Sequence, residues 1–360
     1  MKVKPWHRIV ATASAVVLVG LLTGAVRLLQ SHGAFVTVKP GFAGVCRGIA
    51  SPTGPEDIAI DAKDKLAFIS ATDRPARSKA HPSPADGLYT YAYGAPGAAL
   101  IKLAGTPSDF HPLGISLYRS PEGGLTLMAI NHRLDGANTI DIFTVDVTNG
   151  AARLTEVGSI AGGVLISPNA LAAIDEDRFY VVNDHTSKTT LGRWLDDNLV
   201  LPRANVLYFD GVKFRVVAKG LNFPSGAALS PDERFLYVSQ SYPRTLVTYE
   251  RQPVSGKLQQ VSSLAIPSNL DKARLAPDGS IWLGSHPDAF AMAKYRIDPS
   301  KPAPSEIFHV LLKDGIPDSA KLVYADKGSQ IGASSVGAVA DGHLLIGSPF
   351  DNKILDCKLP

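Results

Sequence analysis

The chain has 360 residues, of which 45% are hydrophobic, and its formal net charge is +3. This length and hydrophobic content can fill a large core, and a nearly balanced charge without a basic run argues against nucleic acid as a partner. The 32 glycines and 26 prolines favour a turn-rich all-β protein over a helical one. The sequence indicates no oligomeric state.

The N-terminus carries an apolar segment, residues 9–26, behind three basic residues. Its length suits a short membrane-spanning helix or a long signal-peptide core, and no small-residue cleavage site follows directly. The positive flank predicts that the rest of the chain is exported. We therefore expect residues 1–30 to be a signal anchor, with a cleaved signal peptide as the alternative, and residues 31–45 to be a linker. The protein would then lie outside the cytoplasm, attached to the membrane by this segment.

A unit of two short apolar strands joined by a polar turn recurs along the rest of the chain. Six copies at a spacing of roughly 45 to 65 residues are typical of a β-propeller, whose four-stranded blades pack against one another. The sequence therefore predicts an all-β, six-bladed β-propeller over residues 46–360, preceded by a hydrophobic helix. The residues that open the copies are expected near the central axis: Glu56, Ile115, Asn169, Ser225, Asp271 or Lys272, and Ser335.

Several short motifs follow one another in order along these copies. They include GPED at Gly54, HPLGIS at His111, FYVVNDH at Phe179, SHPD at Ser285 and LLIG at Leu344. In this combination the chain resembles the paraoxonase family of arylesterases and lactonases, with weaker similarity to gluconolactonases and strictosidine synthases. The resemblance implies a six-bladed propeller that hydrolyses esters or lactones at its central tunnel.

The two cysteines, Cys46 and Cys357, stand at opposite ends of the predicted propeller. From the residues alone they are either buried thiols or, in an exported chain, a disulfide that closes the ring. The resemblance implies the disulfide, because paraoxonases join such termini.

The resemblance also implies a catalytic calcium ion with oxygen ligands. The retained ligand positions fall on Glu56, Asn169 and Asp271, and the changed positions fall on Ser225 and Lys272. At about 4 Å and an effective dielectric constant near 20, an ammonium and a dication repel by roughly 8 kcal/mol. We therefore expect weak calcium binding, with Lys272 within salt-bridge distance of Glu56 or Asp271.

The family's second, structural calcium would be held by Asp57, by the carbonyl of Ile115 and by a carboxylate at position 170. This chain has Ala170 there, so one carboxylate is missing. Calcium as a cofactor is therefore doubtful because of three positions: Lys272, Ser225 and Ala170.

Histidines are the candidates for proton transfer. The pair proposed for the family falls on Leu113 and His132, so one histidine is kept, and His111 could replace the other. His185 and His286 match family positions around the tunnel mouth. The structural alternative for each is a histidine that bonds a loop between blades. The long segment 186–203 after His185 is a candidate lid.

These patterns favour a carboxylic-ester hydrolase that acts on a small ester or lactone. The catalytic candidates are His132, Glu56, Asp271 and Lys272, and the tunnel candidates are His111, Leu113, Ser225, His185, His286 and Ser335. Two alternatives stay open. One is a metal-free enzyme resembling strictosidine synthases that uses Glu56 and Lys272, and the other is a propeller that binds a ligand without turnover.

Overall fold

The computed structural model describes residues 5–77 and 83–360. Within these ranges the chain forms six antiparallel sheets of four strands each. The predicted six-bladed β-propeller is therefore confirmed. Lys2 and Lys4, from the basic flank of the apolar segment, lie outside the described residues.

The strands follow one another blade by blade. The propeller begins with β1 (Val45–Ala50). The first blade contains β2 (Pro55–Asp61), β3 (Leu66–Ala71), β4 (Gly87–Tyr91) and β5 (Ile101–Lys102). The second contains β6 (Pro112–Arg119), β7 (Leu125–His132), β8 (Asn138–Thr148) and β9 (Ala151–Ala161). The third contains β10 (Pro168–Ala173), β11 (Arg178–Asn183), β12 (Ala204–Asp210) and β13 (Phe214–Leu221).

The remaining blades repeat this order. The fourth contains β14 (Pro224–Leu229), β15 (Phe235–Gln240), β16 (Thr245–Arg251) and β17 (Leu258–Ala265). The fifth contains β18 (Leu270–Leu275), β19 (Ile281–Ser285), β20 (Ser305–Lys313) and β21 (Ile316–Asp326). The sixth contains β22 (Val336–Ala340), β23 (His343–Gly347) and β24 (Lys353–Lys358), and β1 completes it.

The ring is closed in the sixth blade, where the first and last strands of the propeller pair. Cys46 lies opposite Cys357 in the β1–β24 ladder, and a disulfide joins them. The predicted disulfide is confirmed. It closes a loop of 311 residues, so on the chain-entropy model it stabilises the fold by about 5 kcal/mol.

The hydrophobic core lies between the blades. Six clusters of buried side chains each join two neighbouring blades, as Phe68 and Leu127 do between the first and second and Val182 and Val238 do between the third and fourth. Burying one such side chain contributes about 1.5–3 kcal/mol. The blades therefore stabilise one another around a common axis.

The inner strands share a local irregularity that positions the site. In five of them the pairing register shifts after the first residue, which is proline in β2, β6, β10 and β14. Proline is tolerated at the first residue of a strand, and a bulge leaves the next residue outside the ladder. The residues released from pairing by these bulges include Glu56, Asn169, Ser225, Asp271 and Lys272.

Close packing at the axis requires small residues beside these bulges. A Cβ atom on Gly226 would lie 2.5 Å from the backbone nitrogen of Ala273 and 2.6 Å from the carbonyl oxygen of Asp271. Since no such approach is sterically allowed, glycine at position 226 lets β14 and β18 meet.

The described part of the chain has four helices: α1 (Pro5–Ser31), α2 (Arg74–Arg77), α3 (Thr190–Asn198) and α4 (Ala289–Ile297). The predicted N-terminal helix is present as α1. Among the residues whose side chains the structure describes, no helix is long and apolar enough to cross a membrane. After α1, His32 stacks on Tyr242 with 4.6 Å between ring centroids, beside α4.

Candidate active site

Five residues released by the bulges meet at the propeller axis, and we call them the axial floor: Glu56, Asn169, Ser225, Asp271 and Lys272. All five are buried, and Lys272 is only 1% exposed. Ser335, from the sixth blade, donates its hydroxyl to the carbonyl of Glu56 at 2.6 Å. The residues expected near the axis are therefore brought together from blades far apart in sequence.

Lys272 is the centre of the axial floor. Its Nζ donates hydrogen bonds to the carbonyl oxygens of Asn169 and Ser225, both at 3.1 Å, and to Oδ1 of Asn169. It also lies 3.6 Å from a carboxylate oxygen of Glu56 and 3.6 Å from one of Asp271. The expected salt-bridge distances are confirmed. Three acceptors require three N–H donors, which only the ammonium form provides.

Burial acts on both partners of this pair. Loss of hydration lowers the pKa of Lys272, while the neighbouring Asp271 carboxylate acts in the opposite direction. Loss of hydration likewise raises the pKa of Asp271, and Lys272 counteracts that shift. Each charge is tolerated in the interior because the other is present.

A second cation, Arg274, lies two residues further along β18. Its Nη2 contacts Oδ2 of Asp57 at 2.5 Å and donates to the carbonyl of Ile115 at 2.8 Å. Its Nε donates to the carbonyl of Ile58 at 2.8 Å. Asp57 also accepts from the backbone N–H groups of Ile58 and Ile115, at 3.0 and 2.9 Å. The guanidinium therefore satisfies the carboxylate and two carbonyls at once.

The oxygens that the family resemblance assigned to calcium are therefore engaged by side-chain cations. The ammonium of Lys272 contacts the side-chain oxygens of Glu56, Asn169 and Asp271. The guanidinium of Arg274 contacts oxygens of Asp57 and Ile115, and Ala170 is buried without contributing an oxygen ligand from its side chain. The residues at both places do not fit a dication, because each place already holds a positive charge within salt-bridge distance of the oxygens that would bind it. Within the described residues, no group of three or more His, Cys, Asp or Glu side chains is arranged to hold a metal ion.

Above the axial floor lies a cleft made of two adjoining cavities. The first, of about 680 Å³, is lined by Glu56, Asn169 and Asp271 and by residues of α3 and α4. The second, of about 490 Å³, is lined by residues of the second blade. Residues that line both cavities include Arg74, Asn169, Arg193, Arg296 and Phe350. The two volumes therefore form one ligand-sized cleft.

Arg74 is a cation that pairs with the axial floor and also lines this cleft. It forms an ion pair with Oε2 of Glu56, and its side chain is 28% exposed. Lys272, in contrast, does not line either cavity. A bound molecule would therefore meet the guanidinium of Arg74 rather than the ammonium of Lys272.

His286 and Asp271 both line the first cavity. Its Nδ1 is 3.9 Å from Oδ2 of Asp271. Burial lowers the pKa of His286, so the imidazole is neutral near pH 7. A neutral imidazole beside a carboxylate can accept a proton from water.

His185 links the axial floor to α3. Its two ring nitrogens contact Asp184 and Asp197, each at 2.8 Å, and Asp184 accepts from Nδ2 of Asn169 at 2.9 Å. Burial alone would lower the pKa of His185, but the two carboxylates raise it to about 9. His185 is therefore a cation that holds α3, which lies within the candidate lid, over the cleft.

The other predicted site residues occupy supporting positions. His132 and His111 both line the second cavity, where Nδ1 of His132 contacts Oδ1 of Asn138 at 2.7 Å and Nδ1 of His111 contacts Asp86 at 2.7 Å. Leu113 also lines this cavity and is 6% exposed. The hydroxyl of Ser225 donates to the carbonyl of Leu270 at 3.0 Å, away from Lys272.

Sequence reasoning missed the arginines of the site. Arg274 stands two residues after Lys272 in a predicted strand, so alternation of side chains could have suggested a second cation beside the first. Arg74, Arg193 and Arg296 come from three segments outside the repeat, and no local pattern marks them.

Comparison with known proteins agrees with this architecture. The Arylesterase family model matches residues 53–359. Human serum paraoxonase/arylesterase 2 is 30% identical over 253 residues, which cover 70% of each chain. Human serum paraoxonase/arylesterase 1 is 27% identical over 316 residues, which cover 85% of this chain and 86% of the relative. A luciferin-regenerating enzyme shares the fold with a TM-score of 0.54 and 14% identity, over 88% of this chain and 95% of its own. The chain belongs to the arylesterase family.

Proposed function

We propose that the chain hydrolyses carboxylic esters or lactones in the cleft above the axial floor. The observation that supports this assignment is the position of His286, an imidazole whose pKa is lowered by burial, 3.9 Å from Asp271 in the wall of a cavity of about 680 Å³. Membership in the arylesterase family supports the reaction class. The cleft is large enough for an aryl ester or a small lactone.

In this mechanism His286 acts as the base. It takes a proton from a water molecule whose oxygen forms a bond to the carbonyl carbon of the substrate, while Asp271 stabilises the imidazolium that results. The bond from the carbonyl carbon to the alcohol oxygen then breaks, and the leaving oxygen receives the proton from His286. The guanidinium of Arg74 stabilises the negative charge that develops on the carbonyl oxygen.

Hydrolysis of phenyl acetate and of five- and six-membered lactones tests this proposal. His286→Gln should lower kcat/KM by about 100-fold or more, the usual contribution of a general base. His309→Gln is the matched control, since His309 stacks on Trp282 and does not line the cleft. Glu56→Gln should also reduce the rate because it releases Arg74. A panel without turnover above background would reject the hydrolase, and an equal loss in His132→Gln alone would move the base to His132.

We also propose that hydrolysis proceeds without calcium at the axis. Lys272 and Arg274 already neutralise the carboxylates there, so an added dication would have to displace both. Calorimetric titration of chelator-treated protein should detect no tight site, and the rate should be unchanged by the chelator. In the double variant Lys272→Asn with Ser225→Asn, calcium binding should appear. Tight binding of one calcium by the unmutated chain would refute the proposal.

Two alternatives from the sequence are less well supported by the geometry. Imine formation requires a free amine facing the substrate, whereas Nζ of Lys272 is directed at three oxygen acceptors below the cleft. Ligand binding without turnover leaves the His286–Asp271 pair without a role, and the substrate panel described above decides between the two functions.

The cellular location is the last part of the proposal. The Cys46–Cys357 disulfide is typical of an oxidising compartment, which supports an extracytoplasmic propeller. We propose that residues 9–26 attach it to the membrane. Full-length protein should then stay in the membrane pellet after alkaline extraction, and quantitative release into the supernatant would refute anchoring.

A further inference from the structure

The charges that line the first cavity are unevenly paired. Its carboxylates are Glu56, Asp184, Asp197 and Asp271, and each has a cationic partner. Glu56 pairs with Arg74, Asp271 with Lys272, and the two remaining carboxylates with the His185 imidazolium. These three cations face four carboxylates, and the one negative charge left over belongs to the Asp184–His185–Asp197 cluster.

Two further cations, which outnumber that one negative charge, line the cleft. Arg193, on α3, donates from Nε to the carbonyl of Ser187 at 3.0 Å and from Nη2 to the carbonyl of Ile166 at 3.4 Å. Arg296, in the last turn of α4, is exposed. Among residues 5–77 and 83–360, neither has a carboxylate within salt-bridge distance. Both line both cavities, so the two guanidinium groups border the same cleft.

Apolar side chains share the lining of the cleft with these arginines. Phe223, Met292 and Phe350 line both cavities, and Tyr242 lines the first. An apolar wall with cations at its edge suits a molecule with an aromatic or aliphatic body and an anionic end.

Resting on the proposed ester hydrolysis, we propose that this cleft selects substrates that carry a carboxylate remote from the scissile ester or lactone bond. Arg193 and Arg296 bind the carboxylate, the apolar wall holds the body of the molecule, and the reacting carbonyl lies near His286 and Arg74. Since both arginines are reached by solvent, the selectivity should be moderate and should fall as salt screens the charges.

The test compares 4-acetoxybenzoate with 4-acetoxybenzamide, which differ in one charge and have nearly the same shape. The native chain should show a kcat/KM ratio in favour of the carboxylate of about fivefold, the size expected for a partly screened ion pair. Arg296→Gln and Arg193→Gln should each reduce this ratio, while Arg296→Lys should keep most of it. Arg234→Gln is the matched control, because Arg234 is paired with Glu250 and does not line the cleft.

A second readout does not depend on turnover. Calorimetric titration with 4-hydroxybenzoate and 4-hydroxybenzamide should show tighter binding of the carboxylate, with the difference reduced in Arg296→Gln. If no ester is hydrolysed but this difference is present, the proposed hydrolysis fails and the anion site stands. Equal binding of the two compounds, or no binding of either, would overturn the anion site even in an active esterase.

Discussion

The floor and the rim of the cleft use cations in opposite ways. At the floor, Lys272 is 1% exposed and Arg274 is mostly buried, and every contact they make is to an oxygen of the chain. At the rim, the bonds of Arg193 within the described part of the chain go only to neutral carbonyls, and Arg296 is exposed. The buried cations therefore neutralise carboxylates of the folded protein, whereas the positive charges of the rim cations are available to bind a ligand.

The difference follows from the cost of burying charge. A carboxylate inside the protein must be paired, so Glu56, Asp57 and Asp271 require permanent cationic partners from the protein's own side chains. A solvated guanidinium has no such requirement, and an ion pair at the rim contributes little to folding. Substitution at the floor should therefore change stability, whereas substitution at the rim should change substrate preference.

The largest effect is expected at Lys272. Lys272→Met removes the cation between two buried carboxylates and should lower the free energy of unfolding by about 3–5 kcal/mol. Lys301→Met is the matched control, because Lys301 is 67% exposed in its pair with Asp298 and should change stability by less than about 1 kcal/mol. Denaturant unfolding followed by circular dichroism measures both. Equal effects in the two variants would show that the axial pair contributes no more than a surface pair.

Arg274→Met should have the next largest effect, about 3 kcal/mol of lost stability. It should cost less than Lys272→Met because the one carboxylate left behind, Asp57, keeps two backbone hydrogen bonds. Arg234→Met, at a pair whose arginine is 59% exposed, provides the control. A loss in Arg274→Met no larger than in this control would contradict the pairing of Asp57 as a structural requirement.

The smallest effect should come from the pH dependence of His185, which links the axial floor to α3. The carboxylates beside His185 raise its pKa to about 9, above the usual value of about 6.5. The stability from this cation is therefore fully present below about pH 6.5 and is lost as the pH rises towards 9. Thermal melting across this range should show the decline, and Asp197→Asn should make it shallower. An unchanged decline in Asp197→Asn would assign it to another group.

The fold and the floor were largely readable in the sequence. The six-copy repeat predicts the propeller, and its first residues predict the convergence of Glu56, Asn169 and Lys272 because each copy places the same position at the axis. The disulfide was left open by the cysteines alone and was indicated by the family resemblance.

Only the tertiary structure decided what surrounds those residues. The bond from Arg274 to Asp57 spans 217 positions of sequence, and it depends on how the first and fifth blades meet at the axis. Arg193 and Arg296 belong to helices in loops whose positions over the cleft are fixed by contacts such as that of His185 with Asp197. A repeat determines its own geometry, because the same backbone packing recurs in every copy. Loops between copies have no such constraint. The positions of their charged side chains at the cleft are therefore set by tertiary packing and cannot be predicted from the local sequence pattern.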